Sequence, residues 1–501
     1  HAHLMILEDP ELIGGIREKI VSEMIRSSYA ASQVIERYVE IFSAMDDEYL
    51  RERAADIRDV GNRLIRNILG VSDMDLGRLD ADVVIAAHDL TPSDTAQMDK
   101  KHVKGFITDI GGRTSHTAIM ARSLEIPAVL GLGDITDKVR DGAAVIVDGS
   151  AGKVIVEPDE ATLKEYADKI EQWNKYKEEL KTTAKLPSVT LDGRHVDVAA
   201  NIGGPSEADS VLRYGGDGVG LYRTEFLYMD RDSFPGEEEQ FEAYRTVAEK
   251  LEGKPVIIRT LDIGGVKKLP YLPLQEEMNP FLGFRAIRLC FEMREMFKTQ
   301  LRAILRAGAY GNVLIMYPMI SGVSEVIEAN RILEEAKDEL RAAGTAFDEN
   351  MRRGVMIEIP SAAMTADLII KEVDFFSIGT NDLCQYTLAV DRMNEKIAGL
   401  YQPFHPGVLR LIKNVVDESH KAGKFTGMCG EMAGDPAAAL LLVGLGLDEL
   451  SMSPSSMPII KKIVRSVSLQ DAEKTAAHAM TLSSADEIQT YCEKALKELN
   501  V

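Results

Sequence analysis

The spacing of hydrophobic residues divides the chain into an N-terminal helical part and a longer part in which strands and helices alternate. Pro10 begins one amphipathic helix, and apolar positions at helical spacing predict a longer helix from about Ala31 to Leu69. From residue 77 short β-rich runs replace that pattern, and glycine and proline separate them. The runs at 83–86, 103–108, 127–130, 143–148 and 153–156 predict a small α/β domain.

A charged segment follows this small domain. Residues 159–185 carry many glutamates and lysines at helical spacing, which is typical of a single solvated helix. We interpret this segment as a linker helix that carries no chemistry of its own.

Beyond Pro187 strand-like runs alternate with helical segments. We predict strands at 196–200, 218–222, 256–259, 313–317, 355–358, 375–378, 425–428 and 449–452. Such alternation requires parallel strands with crossover helices, and eight of them over roughly 250 residues are typical of a (β/α)8 barrel. A doubly wound sheet alternates in the same way, so the strand count favours the barrel without excluding that alternative. The predicted fold class is α/β, with boundaries after residues 76, 158 and 187.

Composition narrows the functional classes. The 501 residues include 58 Lys and Arg against 80 Asp and Glu, a net charge of −22, which disfavours non-specific binding to nucleic acid or to an anionic membrane. The four cysteines are far apart and form no CxxC pair. We therefore expect neither a disulfide framework nor a cysteine zinc site, and we expect the protein to be cytoplasmic.

The longest apolar run, 437–447, is too short to span a bilayer. The chain begins at His1, and we expect an N-terminal piece of the natural protein to precede it.

Polar residues collect where five of the predicted strands end. They are Arg223-Thr224-Glu225, Arg259 to Asp262, Glu358, Thr380-Asn381-Asp382 and Cys429-Gly430-Glu431. In barrels of this kind the chemistry takes place at the carboxyl ends of the strands. A single polar strand end is common, but five coinciding by chance is not, and we therefore predict a functional site.

The residue types in this set suit a small anion that carries several charges. Arg223, Arg259 and Arg392 supply planar guanidinium groups that match phosphate and carboxylate, although each alone is better explained by a structural ion pair. Glu358 and Asp382 are hard oxygen ligands of the kind that Mg²⁺ prefers. Asn381 either donates its amide to the anion or caps the following helix.

Cys429 has two interpretations. Most isolated cysteines are small core residues. Its position among charged groups raises the alternative that its thiol exchanges a proton with a substrate.

The small domain contains a glycine-rich run that ends in a histidine, Gly111-Gly112-Arg113-Thr114-Ser115-His116-Thr117. A helix is predicted from Thr117 to Ser123, so His116 lies at a helix N-terminus, where free N–H groups favour negative charge. A phosphate carried on His116 would be stabilised there. A histidine that only caps the helix is an equally weighted alternative, and adjacent serine and histidine seldom form a hydrolytic pair.

Taken together, these runs resemble the Enzyme I family of the bacterial phosphoenolpyruvate-dependent sugar phosphotransferase system. The similarity extends over essentially the whole chain. The matching runs are GGRTSHTAIMARSLEIPAV (111–129), GVGLYRTEFLYMDRD (218–232), RTLDIGG (259–265), NPFLGFRAIR (279–288), DFFSIGTNDL (374–383), YTLAVDR (386–392) and GMCGEMAGD (427–435).

The resemblance implies a role for each candidate residue. His116 would be phosphorylated by phosphoenolpyruvate and Cys429 would be the proton donor. The implied substrate contacts are Arg223, Arg259, Asn381, Asp382 and Arg392, and the implied Mg²⁺ ligands are Glu358 and Asp382.

The resemblance also implies partners and domain roles. The family passes the phosphoryl group to a histidine of the small carrier protein HPr and dimerises through the barrel. Residues 1–76 would be an incomplete HPr-binding helical subdomain, 77–158 the phosphohistidine domain, 159–187 the linker, and 188–501 the phosphoenolpyruvate-binding and dimerisation barrel.

Some positions depart from the family pattern. Val266-Lys267-Lys268 replace an acidic residue followed by Lys-Glu, and Ile359 and Cys384 stand where threonine is common. None of them is a named site residue, and we expect local tuning only. Two alternatives stay open. The first is a relative of phosphoenolpyruvate synthase or pyruvate phosphate dikinase; those enzymes need a nucleotide-binding domain, and residues 1–76 are too few and too helical to form one. The second is a fragment that binds phosphoenolpyruvate without passing phosphate onward.

Overall fold

The chain forms two compact units, residues 1–172 and 173–501. The structure is a computed structural model, and it describes residues 7, 9–43, 48–70, 76, 79–90, 98–99, 101–112, 117–118, 120–121, 126–229, 231–265, 269–394 and 396–499. Of the helices in these ranges, none combines the length and the apolar character needed to cross a membrane. The four domains predicted from the sequence stay a prediction.

Three helices lie in the described residues at the start of the first unit, α1 (Pro10–Glu23), α2 (Ser27–Ser43) and α3 (Glu48–Leu69). The single helix predicted from about Ala31 to Leu69 is therefore two helices. Their shared core includes Val34 and Ile35 of α2. Gly61 of α3 permits the close approach of α2, because a Cβ at that position would lie 2.5 Å from a methyl carbon of Ile35.

Five strands and one short helix have bounds in the described residues of the rest of this unit. They are β1 (Val83–Ala87), β2 (Val103–Thr108), β3 (Ala128–Val129), α4 (Ile135–Lys138), β4 (Val145–Asp148) and β5 (Lys153–Val156). Strands β1, β2 and β3 form one parallel sheet, and β4 pairs antiparallel with β5. The helix α5 (Glu160–Ala184) follows, as predicted for the linker, and the boundary between the two units falls within it.

The second unit is built on eight parallel strands that close into a barrel. The strands are β6 (Asp197–Ile202), β7 (Val219–Arg223), β8 (Val256–Arg259), β9 (Val313–Tyr317), β10 (Arg353–Ile357), β11 (Phe375–Ile378), β12 (Phe425–Met428) and β13 (Glu449–Met452). They pair in chain order, and β13 pairs with β6. The barrel prediction is therefore confirmed over the doubly wound alternative, with strand ends within two residues of those predicted.

Thirteen α-helices lie in the described part of this unit after α5. They are α6 (Ala208–Arg213), α7 (Glu237–Lys250), α8 (Ile287–Glu292), α9 (Arg294–Ala307), α10 (Val323–Ala343), α11 (Pro360–Met364), α12 (Ala366–Ile369), α13 (Thr380–Leu388), α14 (Pro406–Lys421), α15 (Pro436–Leu445), α16 (Met457–Ser466), α17 (Leu469–Ala479) and α18 (Ala485–Glu498).

The strand sequences explain why the barrel closes. Successive side chains point to opposite faces of a strand; along β9 Val313, Ile315 and Tyr317 belong to the large outer core, whereas Leu314 and Met316 belong to a separate inner cluster. Because both faces of β9 are apolar and buried, this strand is a continuous hydrophobic run, as parallel sheets require. Arg223, Arg259 and Glu358 lie at or directly after the carboxyl ends of β7, β8 and β10, and the barrel therefore presents them at one end.

Candidate active site

The predicted barrel residues all lie at the carboxyl ends of strands or directly after them. Arg223 and Arg259 are the last residues of β7 and β8, and Glu358 directly follows β10. The remaining members are Asn381 and Asp382 in the first turn of α13, Arg392 beyond that helix, and Cys429 after β12. In a closed parallel barrel these positions share one end, which we call the barrel mouth.

Arg259 is fixed at the mouth by two carboxylates. It is 6% exposed; its Nη2 donates to Glu225 Oε1 at 2.7 Å, and its Nη1 lies 2.9 Å from Asp262 Oδ2. Burial alone would lower the pKa of this guanidinium, but the carboxylates of Glu225 and Asp262 raise it above its ordinary value. Arg259 therefore stays charged in a fixed orientation.

Arg285 is a second buried cation of this site, and the sequence reasoning did not select it. Its Nη2 donates to Asp262 Oδ1 at 2.9 Å and to Asp382 Oδ2 at 3.3 Å, and its Nη1 donates to the Tyr386 hydroxyl at 3.3 Å. The opposing carboxylates raise the pKa of Arg285 although burial acts to lower it. This arginine links the loop after β8 to α13.

Arg285 was missed because it lies in a loop and follows no strand. It enters the mouth through an unusual backbone: Ala286 has φ 52°, and Gly264 has φ 113°. A Cβ on Gly264 would lie 2.5 Å from the Cβ of Arg285, so only glycine permits this approach. The sequence signal for this residue is the run NPFLGFRAIR, in which Arg285 is one of two arginines.

Glu358 is buried with its carboxylate held by the backbone. It is 2% exposed, and its Oε1 accepts a hydrogen bond from the Met319 N–H at 2.6 Å. Burial, with the charges of Asp382 and Asp262 next, raises the pKa of Glu358 to about 8. Arg259 and Arg285 only partly offset that rise.

This donor set fits a divalent cation. The charge of Asp382 raises the pKa of Glu358. A cation shared by the two carboxylates would relieve this repulsion. Among the described residues no group of three or more Asp, Glu, His or Cys has metal-binding spacing. Two carboxylates, with water and substrate oxygens completing the shell, are typical of Mg²⁺ sites.

Asn381, Arg392 and Arg223 surround these buried groups. The Asn381 amide makes two hydrogen bonds with Glu431. Arg392 is half-buried, with 3.8 Å between its Nη2 and Asp382 Oδ1. The half-buried side chain of Arg223 forms no hydrogen bond or ion pair with any residue that the structure describes, which leaves its guanidinium available to an anion.

Cys429 belongs to the apolar cluster inside the barrel, together with Leu221, Ile257 and Met356. Its Sγ lies 3.8 Å from the carbonyl oxygen of Ile378. Burial raises the pKa of the thiol to about 11, so Cys429 is protonated at neutral pH. The thiol therefore packs as a core residue, and its exchange of a proton with a substrate stays a prediction.

The predicted histidine lies outside the described residues. His116 and the rest of 113–116 fall in one gap, as Val266-Lys267-Lys268 do in another, and the structure describes the residues on either side of each. Before the first gap, Asp109 at the end of β2 accepts hydrogen bonds from the N–H and hydroxyl of Thr136, and its Oδ2 lies 3.1 Å from His88 Nδ1. The Thr136 hydroxyl contributes most to lowering the pKa of Asp109 to about 2. An ionised carboxylate thus fixes the strand end that leads into the glycine-rich run.

Three family models match successive parts of the chain. Residues 1–53 match the N-terminal domain of PEP-utilising enzymes, residues 79–152 their mobile domain, and residues 177–469 their PEP-binding domain. A Priestia megaterium protein named phosphoenolpyruvate-protein phosphotransferase is 54% identical over 97% of this chain and 85% of its own length. Proteins of the same name from Bacillus subtilis and Listeria innocua are 52% and 54% identical over 99% of this chain and 87% of their own length.

Proposed function

The chain belongs to the family of phosphoenolpyruvate–protein phosphotransferases, and we propose how its residues divide the work of that enzyme. The protein transfers the phosphoryl group of phosphoenolpyruvate to protein, the first step of phosphotransferase-system sugar uptake. The observation that carries our assignment of the site is the charged barrel mouth. There, two buried arginines, Arg259 and Arg285, are held among carboxylates beside the half-buried cations Arg223 and Arg392.

We assign the anionic groups of phosphoenolpyruvate to the arginines. A planar guanidinium binds a phosphate or a carboxylate through two parallel hydrogen bonds. Arg223 has no protein partner among the described residues, and Arg392 is only loosely paired with Asp382. We therefore place the substrate between Arg223, Arg259 and Arg392, with the Asn381 amide and Asp382 lining the same site.

We assign the metal to Glu358 and Asp382. When bound, Mg²⁺ would neutralise charge on the phosphoryl oxygens. The buried position of Glu358 excludes bulk water from one side of the site, and its hydrogen bond to the Met319 N–H orients the carboxylate.

We propose His116 as the phosphoryl acceptor. A ring nitrogen of His116 would form a bond to phosphorus as the bond from phosphorus to the enol oxygen breaks, and pyruvate enolate would leave. The methylene carbon of the enolate would then take a proton from the Cys429 thiol, which is protonated at neutral pH because burial raises its pKa to about 11. Phosphoryl transfer of this kind depends on positioning and on neutralised charge more than on covalent help from the protein.

The partner assignments rest on the domain matches. We propose that residues 1–76 bind HPr, that 77–158 carry the phosphohistidine, that 159–187 link them to the barrel, and that the phosphoryl group passes from His116 to a histidine of HPr. Movement of the small domain between barrel and HPr would be a slow step of the cycle. We place the protein in the cytoplasm, in keeping with four free cysteine thiols, all buried.

We also propose a homodimer that forms through the barrel. The loop after β8 carries apolar side chains that a single chain leaves in water, including Met278 at 98% exposure and Leu282 at 63%. Large apolar side chains exposed in one loop favour a protein interface there.

Labelling with phosphoenolpyruvate tests the acceptor. With ³²P-phosphoenolpyruvate and Mg²⁺ we expect one acid-labile phosphate per chain, none after His116→Ala, and normal labelling after His102→Ala, which removes a histidine of the same domain whose Nδ1 lies 3.1 Å from Asp82 Oδ1. Added HPr should remove the label. Label that HPr cannot remove would support the fragment alternative, ATP-dependent labelling would support the dikinase-type relative, and labelling of His116→Ala would contradict the assignment.

A further inference from the structure

Glu431 follows β12 in the run Cys429-Gly430-Glu431, and it meets the side chain of Asn381 twice. The Glu431 N–H donates to Asn381 Oδ1 at 3.0 Å, and Asn381 Nδ2 donates to Glu431 Oε1 at 3.2 Å. One residue therefore contacts both ends of the amide.

These two contacts define the orientation of the amide. A backbone N–H can only donate and a carboxylate can only accept. If the Asn381 amide rotated by 180°, its NH₂ group would face an N–H and its oxygen would face a carboxylate, so both hydrogen bonds would be lost. One N–H of Asn381 is used by Glu431, and the other donates to no residue that the structure describes.

The local backbone supports this pairing. A Cβ on Gly430 would lie 1.8 Å from the Thr380 hydroxyl oxygen, so glycine allows the chain after β12 to run directly against the first turn of α13. Glu431 itself is exposed, and its carboxylate is not needed to fill a core. A negative charge beside an anion-binding site costs electrostatic energy, which the fixed orientation of the amide offsets.

We propose that Glu431 is a positioning residue for phosphoenolpyruvate binding: it orients the Asn381 amide so that the free N–H is presented to the substrate. The inference rests on the proposed function, because it assumes that Asn381 contacts phosphoenolpyruvate. Glu431 acts through Asn381 and need not touch the substrate.

Steady-state kinetics of pyruvate release, with HPr as acceptor, test the proposal in the 501-residue chain. We expect Glu431→Ala and Asn381→Ala each to lower kcat/KM for phosphoenolpyruvate by about tenfold, as for one charge-assisted hydrogen bond, mainly through KM. Glu431→Gln keeps an accepting oxygen and should remain within about threefold of the unmodified protein.

The double variant separates positioning from direct contact. In the Asn381→Ala background, Glu431→Ala should change kcat/KM by less than about twofold, because no amide is left to orient. The matched control is Glu493→Ala, which removes a carboxylate that accepts from the Gln489 amide at 3.0 Å on α18; this variant should keep full activity.

Several outcomes would overturn the proposal. They are additive losses in the double variant, a Glu431→Gln variant as impaired as Glu431→Ala, or an unchanged KM in Asn381→Ala. Absence of pyruvate release by the unmodified chain would instead contradict the proposed function, and the two failures are thus distinguishable.

Discussion

Arg259 and Glu225 form a buried ion pair at the barrel mouth, with 2.7 Å between Arg259 Nη2 and Glu225 Oε1. The arginine is the last residue of β8, and the glutamate lies two residues beyond the end of β7. Because Asp262 holds the other end of the guanidinium, the cation is oriented before any substrate arrives. Preorganised charge of this kind needs no rearrangement at the moment of reaction.

Glu225→Gln should destabilise the protein and weaken catalysis together. Removing one partner of a buried pair leaves the other charge partly uncompensated, and we expect the free energy of unfolding to fall by about 3 kcal/mol. Urea unfolding and pyruvate release measure the two effects. Glu239→Gln is the control: its pair with Arg231 is exposed, at 2.9 Å, and should be worth less than about 1 kcal/mol. Equal losses in both variants would contradict the role given to Glu225.

Arg285→Lys should behave almost as poorly as Arg285→Ala. A lysine ammonium is a compact charge and cannot donate at once to Asp262, Asp382 and Tyr386 as the guanidinium does. We expect kcat/KM for phosphoenolpyruvate to fall by about a hundredfold in both variants, as for two lost charge-assisted hydrogen bonds. If kcat/KM of the lysine variant lies within threefold of that of the unmodified protein, the positive charge at position 285 suffices and the prediction is wrong.

The sequence predicted those features of the site that follow from strand ends. Arg223, Arg259 and Glu358 terminate apolar runs, so the barrel pattern alone brings them to one end. Arg285 could not be predicted in this way, because a loop delivers it through the left-handed backbone of Gly264 and Ala286. The contact of Glu431 with Asn381 depends on how closely the chain after β12 approaches the first turn of α13, which hydrophobic spacing does not encode.

The Cys429 thiol should act as an acid over the whole physiological range. Its pKa is raised to about 11 by burial, and the protonated form, which donates, is therefore lost only as the pH rises through about 11. Cys429→Ala should slow pyruvate formation by about a hundredfold or more. Cys492→Ala, which removes another buried thiol, should leave the rate unchanged. A loss of activity near pH 8 that disappears in Cys429→Ala would contradict this assignment.

The dimer proposal predicts that a charge in the loop after β8 favours monomers. Leu282→Glu would bury a carboxylate against the partner surface, and we expect the dimer to dissociate more readily in sedimentation velocity experiments. Ile327→Glu is the control, since Ile327 is about half exposed, at 52%, and lies on helix α10, outside the loop after β8. If both variants sediment as the unmodified protein does, the interface lies elsewhere.

Glu449 predicts an unusual dependence of stability on pH. It begins β13, and its Oε1 has no hydrogen-bond partner among the described residues; a Cβ on Gly220 would lie 2.5 Å from that oxygen. Burial, followed by the charges of three nearby acids, raises its pKa to about 8. The folded protein thus holds a proton that the unfolded chain releases near pH 4.3, the usual pKa of glutamate.

The proton bound by Glu449 in the folded state determines how stability changes with pH. Between about pH 4.5 and 8 the folded state binds more protons than the unfolded state, so the contribution of Glu449 to stability falls as the pH rises, by about 1 kcal/mol per pH unit. Glu449→Gln keeps the shape and removes the ionisation. In urea unfolding at pH 5.5 and 8.5, the free energy of unfolding of Glu449→Gln relative to the unmodified protein should therefore rise with pH. The same difference should not change with pH for Glu493→Gln, at an exposed position of α18. A variant whose stability relative to the unmodified protein is the same at both pH values would show that Glu449 is already ionised in the fold.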